Sequence, residues 1–281
     1  MQFRPGCEEV KLQALRRAIE LQDRGKLDKA ERLYAGILAS QPQCFEALHR
    51  LGVLHFRAAR YAEALRCLDG AVRVNPTDVV AVTNLARLQA RLHLREDALA
   101  HFDRAVALNP DFADAHLSRG EVLRELGRLE DARASLGKAS ALRPKHAGTL
   151  LMLGVTLREL GRLAEALAVF DAALVLDRAF AAAHNNRGIV LRGLKRPEEA
   201  LVAIDMAIGL EPNFVAAHSN RSNALADLGR FEEALEAANR GLTLASGFAG
   251  AWTLLLALAV YILFRIRWLM ARIQAHISLG N

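Results

Sequence analysis

Residues 181–214 read AAAHNNRGIVLRGLKRPEEALVAIDMAIGLEPNF, and this stretch decides the fold. It reads as two helices. The first carries Ala183, Arg187, Gly188 and Leu191 along one face, and Leu194, Lys195 and Arg196 then break the pattern. Pro197 suits the first position of a helix, where its missing N–H has no intrahelical partner. Glu198 and Glu199 fall in that first turn, where the helix dipole favours negative charge. Ala200, Ile204 and Ala207 recur at helical spacing, and Pro212 stops the second helix. Small residues at Gly188, Ala200 and Ala207 let two helices approach closely. A lone pair of this kind cannot bury its apolar face and needs neighbours of its own sort.

The chain supplies them. A shift of about 34 residues returns the same skeleton. Gly188 answers to Gly154, Gly120 and Gly52, with Ala86 and Ala18 upstream and Ser222 downstream. Ala200 answers to Ala30, Ala64, Ala98, Ala132, Ala166 and Ala234, and Pro212 to Pro42, Pro76, Pro110 and Pro144. Gly25, Gly127, Gly161 and Gly229 mark the turn between the two helices, and Tyr34, Leu68, Phe102, Leu136, Phe170 and Ile204 follow each alanine by one helical turn. This pattern of small, aromatic and proline positions resembles the tetratricopeptide repeat family. Arg178 and Ser246 depart from it, standing where proline is usual.

The expected fold is an all-α, right-handed α-solenoid of about seven helix-turn-helix repeats followed by a hydrophobic C-terminal helix. Residues 1–10 read as a lead-in. The repeats run near 11–44, 45–78, 79–112, 113–146, 147–180, 181–214 and 215–248, and residues 249–281 form an apolar, basic tail. The third repeat has His93 in place of the turn glycine, which predicts a less tight turn there. In the tail, Trp252 and Leu255 are in register with an eighth first helix and are expected to pack on the seventh repeat. Residues 247–264 carry no charge and match the shortest membrane-spanning helices in length, so membrane association is the alternative.

The formal net charge is +6, but no Asp or Glu occurs after Glu236, while Arg240, Arg265, Arg267 and Arg272 do. The positive sign therefore comes from the tail and not from the repeat faces, which argues against nucleic acid as a partner. Cys7, Cys44 and Cys67 are odd in number and lack a Cys-x-x-Cys spacing, so reduced, packed thiols are expected. The polar N-terminus does not read as a secretory signal, and a cytoplasmic location is the expectation.

No phosphate loop, nucleophile elbow, paired carboxylates or metal cluster is legible, so the chain reads as non-enzymatic and without a cofactor or metal. His116, His184 and His218 share one column, but neighbouring helices lie about 8–10 Å apart. That is too far for one zinc ion to draw on all three, since each nitrogen must reach within about 2 Å; they read as packing residues. Asn84, Asn186 and Asn220 also share a column, interrupted by Arg16, Arg50, Ser118 and Met152. A carboxamide both donates and accepts, so it can pair with any peptide backbone. Such a ladder resembles the repeat arm of O-GlcNAc transferases and their bacterial relatives, which implies an extended peptide held along an inner groove. Asn185 and Asn223 join the candidate groove, as do Arg124, Arg158 and Arg192, a further column near the ends of first helices, where cations complement the dipole. Asn186 and Asn220 are expected to be exposed. The predicted function is a protein-protein interaction scaffold taking a protein or an extended peptide. The alternatives are a glycosyltransferase arm without its catalytic domain, or a membrane-anchored assembly factor.

Overall fold

The computed structural model describes residues 9–246. Among these residues every regular element is an α-helix. The chain divides into two compact units between Pro144 and Lys145. The first holds α1 (Glu9–Asp23), α2 (Leu27–Ser40), α3 (Phe45–Arg57), α4 (Tyr61–Val74), α5 (Val79–Arg91), α6 (Arg95–Leu108), α7 (Ala113–Glu125) and α8 (Leu129–Leu142). The second holds α9 (Ala147–Glu159), α10 (Leu163–Leu176), α11 (Ala181–Gly193), α12 (Pro197–Leu210), α13 (Val215–Asp227) and α14 (Phe231–Ser246). Odd-numbered helices are the first of each pair and even-numbered ones the second. The tail, with the expected packing of Trp252 and Leu255 and the uncharged stretch 247–264, lies outside the described residues. Among the described helices none is long and apolar enough to cross a membrane.

The repeated small residues are where the helices touch. Ala64, Ala98, Ala132, Ala166 and Ala200 are wholly buried on their second helices, and so are Leu68, Phe102, Leu136, Phe170 and Ile204 one turn later. The glycine of the first helix makes room for that larger side chain. A Cβ on Gly154 would lie 2.5 Å from the Phe170 ring, and one on Gly188 would lie 2.5 Å from Ile204. The cores follow the pairs: Leu157, Phe170 and Val190 cluster between the fifth and sixth pairs, and Ile204, Ala217 and Leu225 between the sixth and seventh.

The turn inside each pair has one conformation throughout. Gly25, Gly127, Gly161 and Gly229 are left-handed with φ between 71° and 75°, and Ala59, His93 and Lys195 take the same place with φ of 57° to 62°. His93 does not loosen its turn: the Leu94 N–H donates to the Gln89 carbonyl at 2.9 Å, as Arg128 does to Leu123 at 2.9 Å. The reason is that this backward bond satisfies carbonyls at the end of the first helix whatever the residue, and a non-glycine residue tolerates the strain. Arg128, Arg162, Arg196 and Arg230 follow the turn glycine, or Lys195 in the sixth pair, and fork onto the acid three residues on, Asp131, Glu165, Glu199 and Glu233.

One cysteine departs from expectation. Cys44, buried at the entry to α3, is disulfide-bonded, whereas Cys67 is a free, half-buried thiol. Spacing along the chain does not reveal which thiols the fold brings together.

His55 occupies a core position that holds Gln89 in the third pair and Leu123, Leu157, Leu191 and Leu225 in the fourth to seventh. Its Nδ1 is buried without a hydrogen-bond partner, and burial, followed by the charge of Arg60, pushes its pKa below the ordinary value. The folded state thus prefers neutral His55. Its contribution to stability is present above the unfolded value of about 6.5 and is lost as pH falls through the lower folded value. His55→Leu is expected to raise the melting temperature at pH 5 by more than at pH 8. Melting curves across that range check this, and an equal shift at both would contradict it.

Candidate functional site

The first helices of the second unit are joined side chain to side chain. Arg158, in the last turn of α9, donates to the Asn186 Oδ1 on α11 at 2.7 Å. The Asn186 amide nitrogen donates in turn to the Ala182 carbonyl at 2.8 Å, so its carboxamide is held at both ends. From α13, Asn220 donates to the Asn185 Oδ1 at 2.9 Å. Arg192, in the last turn of α11, pairs with Asp227 of α13 at 2.5 Å. Asn223 is exposed on α13, one turn beyond Asn220.

In the first unit Asn84 of α5 pairs with the His49 Nε2 of α3 at 2.9 Å. Arg124 lies half-buried in the last turn of α7. It and Arg87 flank Glu121, whose carboxyl is raised above its usual pKa by burial, the two arginines opposing the rise. Arg87 reaches from α5 to Ser118 of α7 at 3.1 Å.

The asparagine column is therefore a set of clasps between consecutive repeats. Asn84, Asn186 and Asn220 are half-buried and Asn185 is buried, which corrects the expectation that Asn186 and Asn220 face solvent. Asn84, Asn186 and Asn220 each meet a side chain of the preceding repeat's first helix, and an amide so placed is stabilised by a neighbour's complementary group. Asn220 keeps an acceptor, since no described group donates to its Oδ1. Arg158 is held by an amide and by no carboxylate among the described residues, so its positive charge stays uncompensated at close range.

Two structural patterns lie beyond the sequence reading. His116, His184 and His218 each donate Nε2–H to a carbonyl six residues back, of Pro110, Arg178 and Pro212, at 2.9, 3.0 and 2.9 Å. They tether the loop between repeats. Arg119, Arg187 and Arg221 pair with Asp103, Asp171 and Asp205 of the preceding second helices at 2.6 to 2.7 Å. The recurrence of both partners at the repeat spacing is the signal that could have found them. Among the described residues no group of three His, Cys, Asp or Glu could hold a metal ion.

Paired helices, left-handed turns and a buried alanine in each second helix define a helical-repeat protein. The family model described as "Tetratricopeptide repeat" matches residues 15–79, 83–147, 151–213 and 188–249, and the chain belongs to that family. A search among curated proteins finds no match. Among solved structures the chain is similar to a tetratricopeptide repeat protein from Parabacteroides merdae, at 16% identity and a TM-score of 0.68, covering 91% of this chain and 100% of that one. It is also similar to YrrB, described as a TPR protein with an unusual peptide-binding site, at 22% identity and a TM-score of 0.57 over 66% of this chain and 95% of that one. A third is MamA from Desulfovibrio magneticus, at 20% identity and a TM-score of 0.56 over 61% and 97%. These likenesses concern the fold.

Proposed function

We propose that the protein is a non-enzymatic scaffold that binds an extended segment of a partner protein on the first-helix face of α9, α11 and α13. One observation carries the reading. The clasps running from Arg158 through Asn186 and from Asn185 to Asn220 fix a polar row across three consecutive helices. Along that row Asn223, the Asn220 Oδ1 and the Arg158 charge remain for a ligand. A fixed row loses little side-chain entropy on binding, so its hydrogen bonds to a peptide backbone add to affinity with small ordering cost. The peptide-binding site named for YrrB, a similar fold, supports the same kind of use. Ser118 and Met152 interrupt the asparagine column, a departure from the ladder of a glycosyltransferase arm, and the scaffold reading is preferred.

Asn220→Ala combined with Asn223→Ala is expected to weaken binding of a peptide selected on the full chain by about tenfold or more, the loss of one or two net hydrogen bonds. The melting temperature should fall modestly, because Asn220 also clasps Asn185. Calorimetric titration against the unaltered protein measures the first, and an unchanged affinity would refute this use of the face.

A further inference from the structure

On the first helices of the second unit one cation is left without an acid, and the sequence says why. Arg192, in the last turn of α11, pairs with Asp227, 35 residues on, at the end of α13. Arg158 holds the same place on α9, but the residue at that spacing is Gly193, at the end of α11. The fourth and fifth pairs carry Glu125 and Glu159 at this position. In the sixth, packing favours glycine: a Cβ on Gly193 would lie 2.8 Å from the Leu163 Cδ1 of α10, so a larger residue must first displace that side chain. Arg158 turns instead to the Asn186 Oδ1, through Nη1 at 2.7 Å. Asn186 is neutral and is itself held by the Ala182 carbonyl, so the guanidinium is oriented without being neutralised. Its Nε and Nη2 make no hydrogen bond among the described residues. That is the edge with which Arg162, Arg196 and Arg230 each take a carboxylate in this molecule.

We infer that the partner segment bound on α9, α11 and α13 places an acidic side chain on Arg158. This rests on the scaffold reading above and adds the chemistry of the partner. A carboxylate fits the open fork with both oxygens, and a guanidinium already oriented loses little freedom on pairing. One acid is called for and not several, because Arg187, Arg192 and Arg221, the other arginines of these helices, are each paired with an aspartate. The neighbours of Arg158 set what accompanies the acid. Val155 stands one turn before it on α9, and Ile189 and Asn223 hold the matching places on α11 and α13. Val155 and Ile189 are half-buried, so both offer aliphatic surface. Val155 gives the segment apolar surface on α9 itself, so the acid lies within the segment and the chain runs on beyond it. Neighbouring helices lie about 10 Å apart and an extended chain advances about 3.3 Å per residue, so the segment meets a new first helix about every three residues. The matching sequence therefore carries an Asp or Glu for Arg158 and an aliphatic residue about three positions away for Ile189.

The test uses the full-length protein and a library of random peptides displayed between flanking linkers, so that no free C-terminus is offered. Enriched peptides are expected to share one Asp or Glu with an aliphatic residue about three positions away. For such a peptide, synthesised with an amidated C-terminus, Arg158→Gln is expected to lower the affinity by about tenfold and Arg158→Glu by about a hundredfold. Exchanging the peptide's acid for lysine is expected to restore binding to Arg158→Glu. Arg158→Gln removes the charge and keeps an amide donor, and unchanged helical circular dichroism shows that both variants fold. Peptides that protect α11 and α13 from hydrogen exchange, yet bind both variants as tightly as the unaltered protein, would overturn the inference and leave the scaffold reading standing. Binding that appears only when the synthetic peptide has a free C-terminal carboxylate would assign Arg158 to a chain end and would also overturn it. A library that yields no peptide protecting these helices would overturn both readings.

Discussion

Replacing Ala200 by leucine is expected to cost about 1–3 kcal/mol or more, seen as a lower urea midpoint and melting temperature. Ala200 is wholly buried, and it shares its cluster with Leu191 and Ala203. Its carbonyl lies 3.0 Å from where a Cβ of Gly188 would stand, so α11 and α12 are already at closest approach. The added atoms of leucine have no space unless the two helices separate. In a repeat array each pair rests on its neighbours, so separation at the sixth pair also weakens the fifth and seventh. A melting temperature indifferent to the change would mean that the helix register is wrong.

Phe170→Ala is expected to be the more damaging, at about 3–5 kcal/mol. The ring is wholly buried and fills the space that Gly154 leaves open, with Leu157, Ala166 and Val190 around it. Truncation removes the ring's burial and leaves a cavity whose walls are helix backbones, which collapse poorly. Phe170→Leu should cost less, because Leu68 and Leu136 hold the same position over Gly52 and Gly120. Denaturant unfolding of the two variants gives the order, and a loss for Phe170→Ala no larger than for Phe170→Leu would contradict this account of the packing.

The helix pairs are legible in the sequence because their cause is local and repeated. Ala200 with its counterparts, the Pro212 column and the turn glycines each mark a place where only certain residues fit. The turn at His93 is tighter than its sequence suggests because glycine is a preference there and not a requirement: the backward hydrogen bond to Gln89 holds the left-handed residue in place. The clasped polar row is legible only in part. The Asn186 and Asn220 column can be seen, but not that Arg158 and Asn185 engage it, since those contacts depend on how one repeat lies against the next. The Cys44 disulfide is hidden because spacing along the chain does not show which thiols the fold brings together.

If the clasped row is a peptide-binding face, its affinity comes from several modest hydrogen bonds and charge contacts spread over three helices. Its most direct test is hydrogen exchange on the full-length protein with and without a peptide selected from a displayed random library. The account predicts that the bound peptide slows exchange in α11 and α13, the first helices that carry Asn186 and Asn220. Protection confined to the second helices α10 and α12, or no protection in any helix, would contradict it.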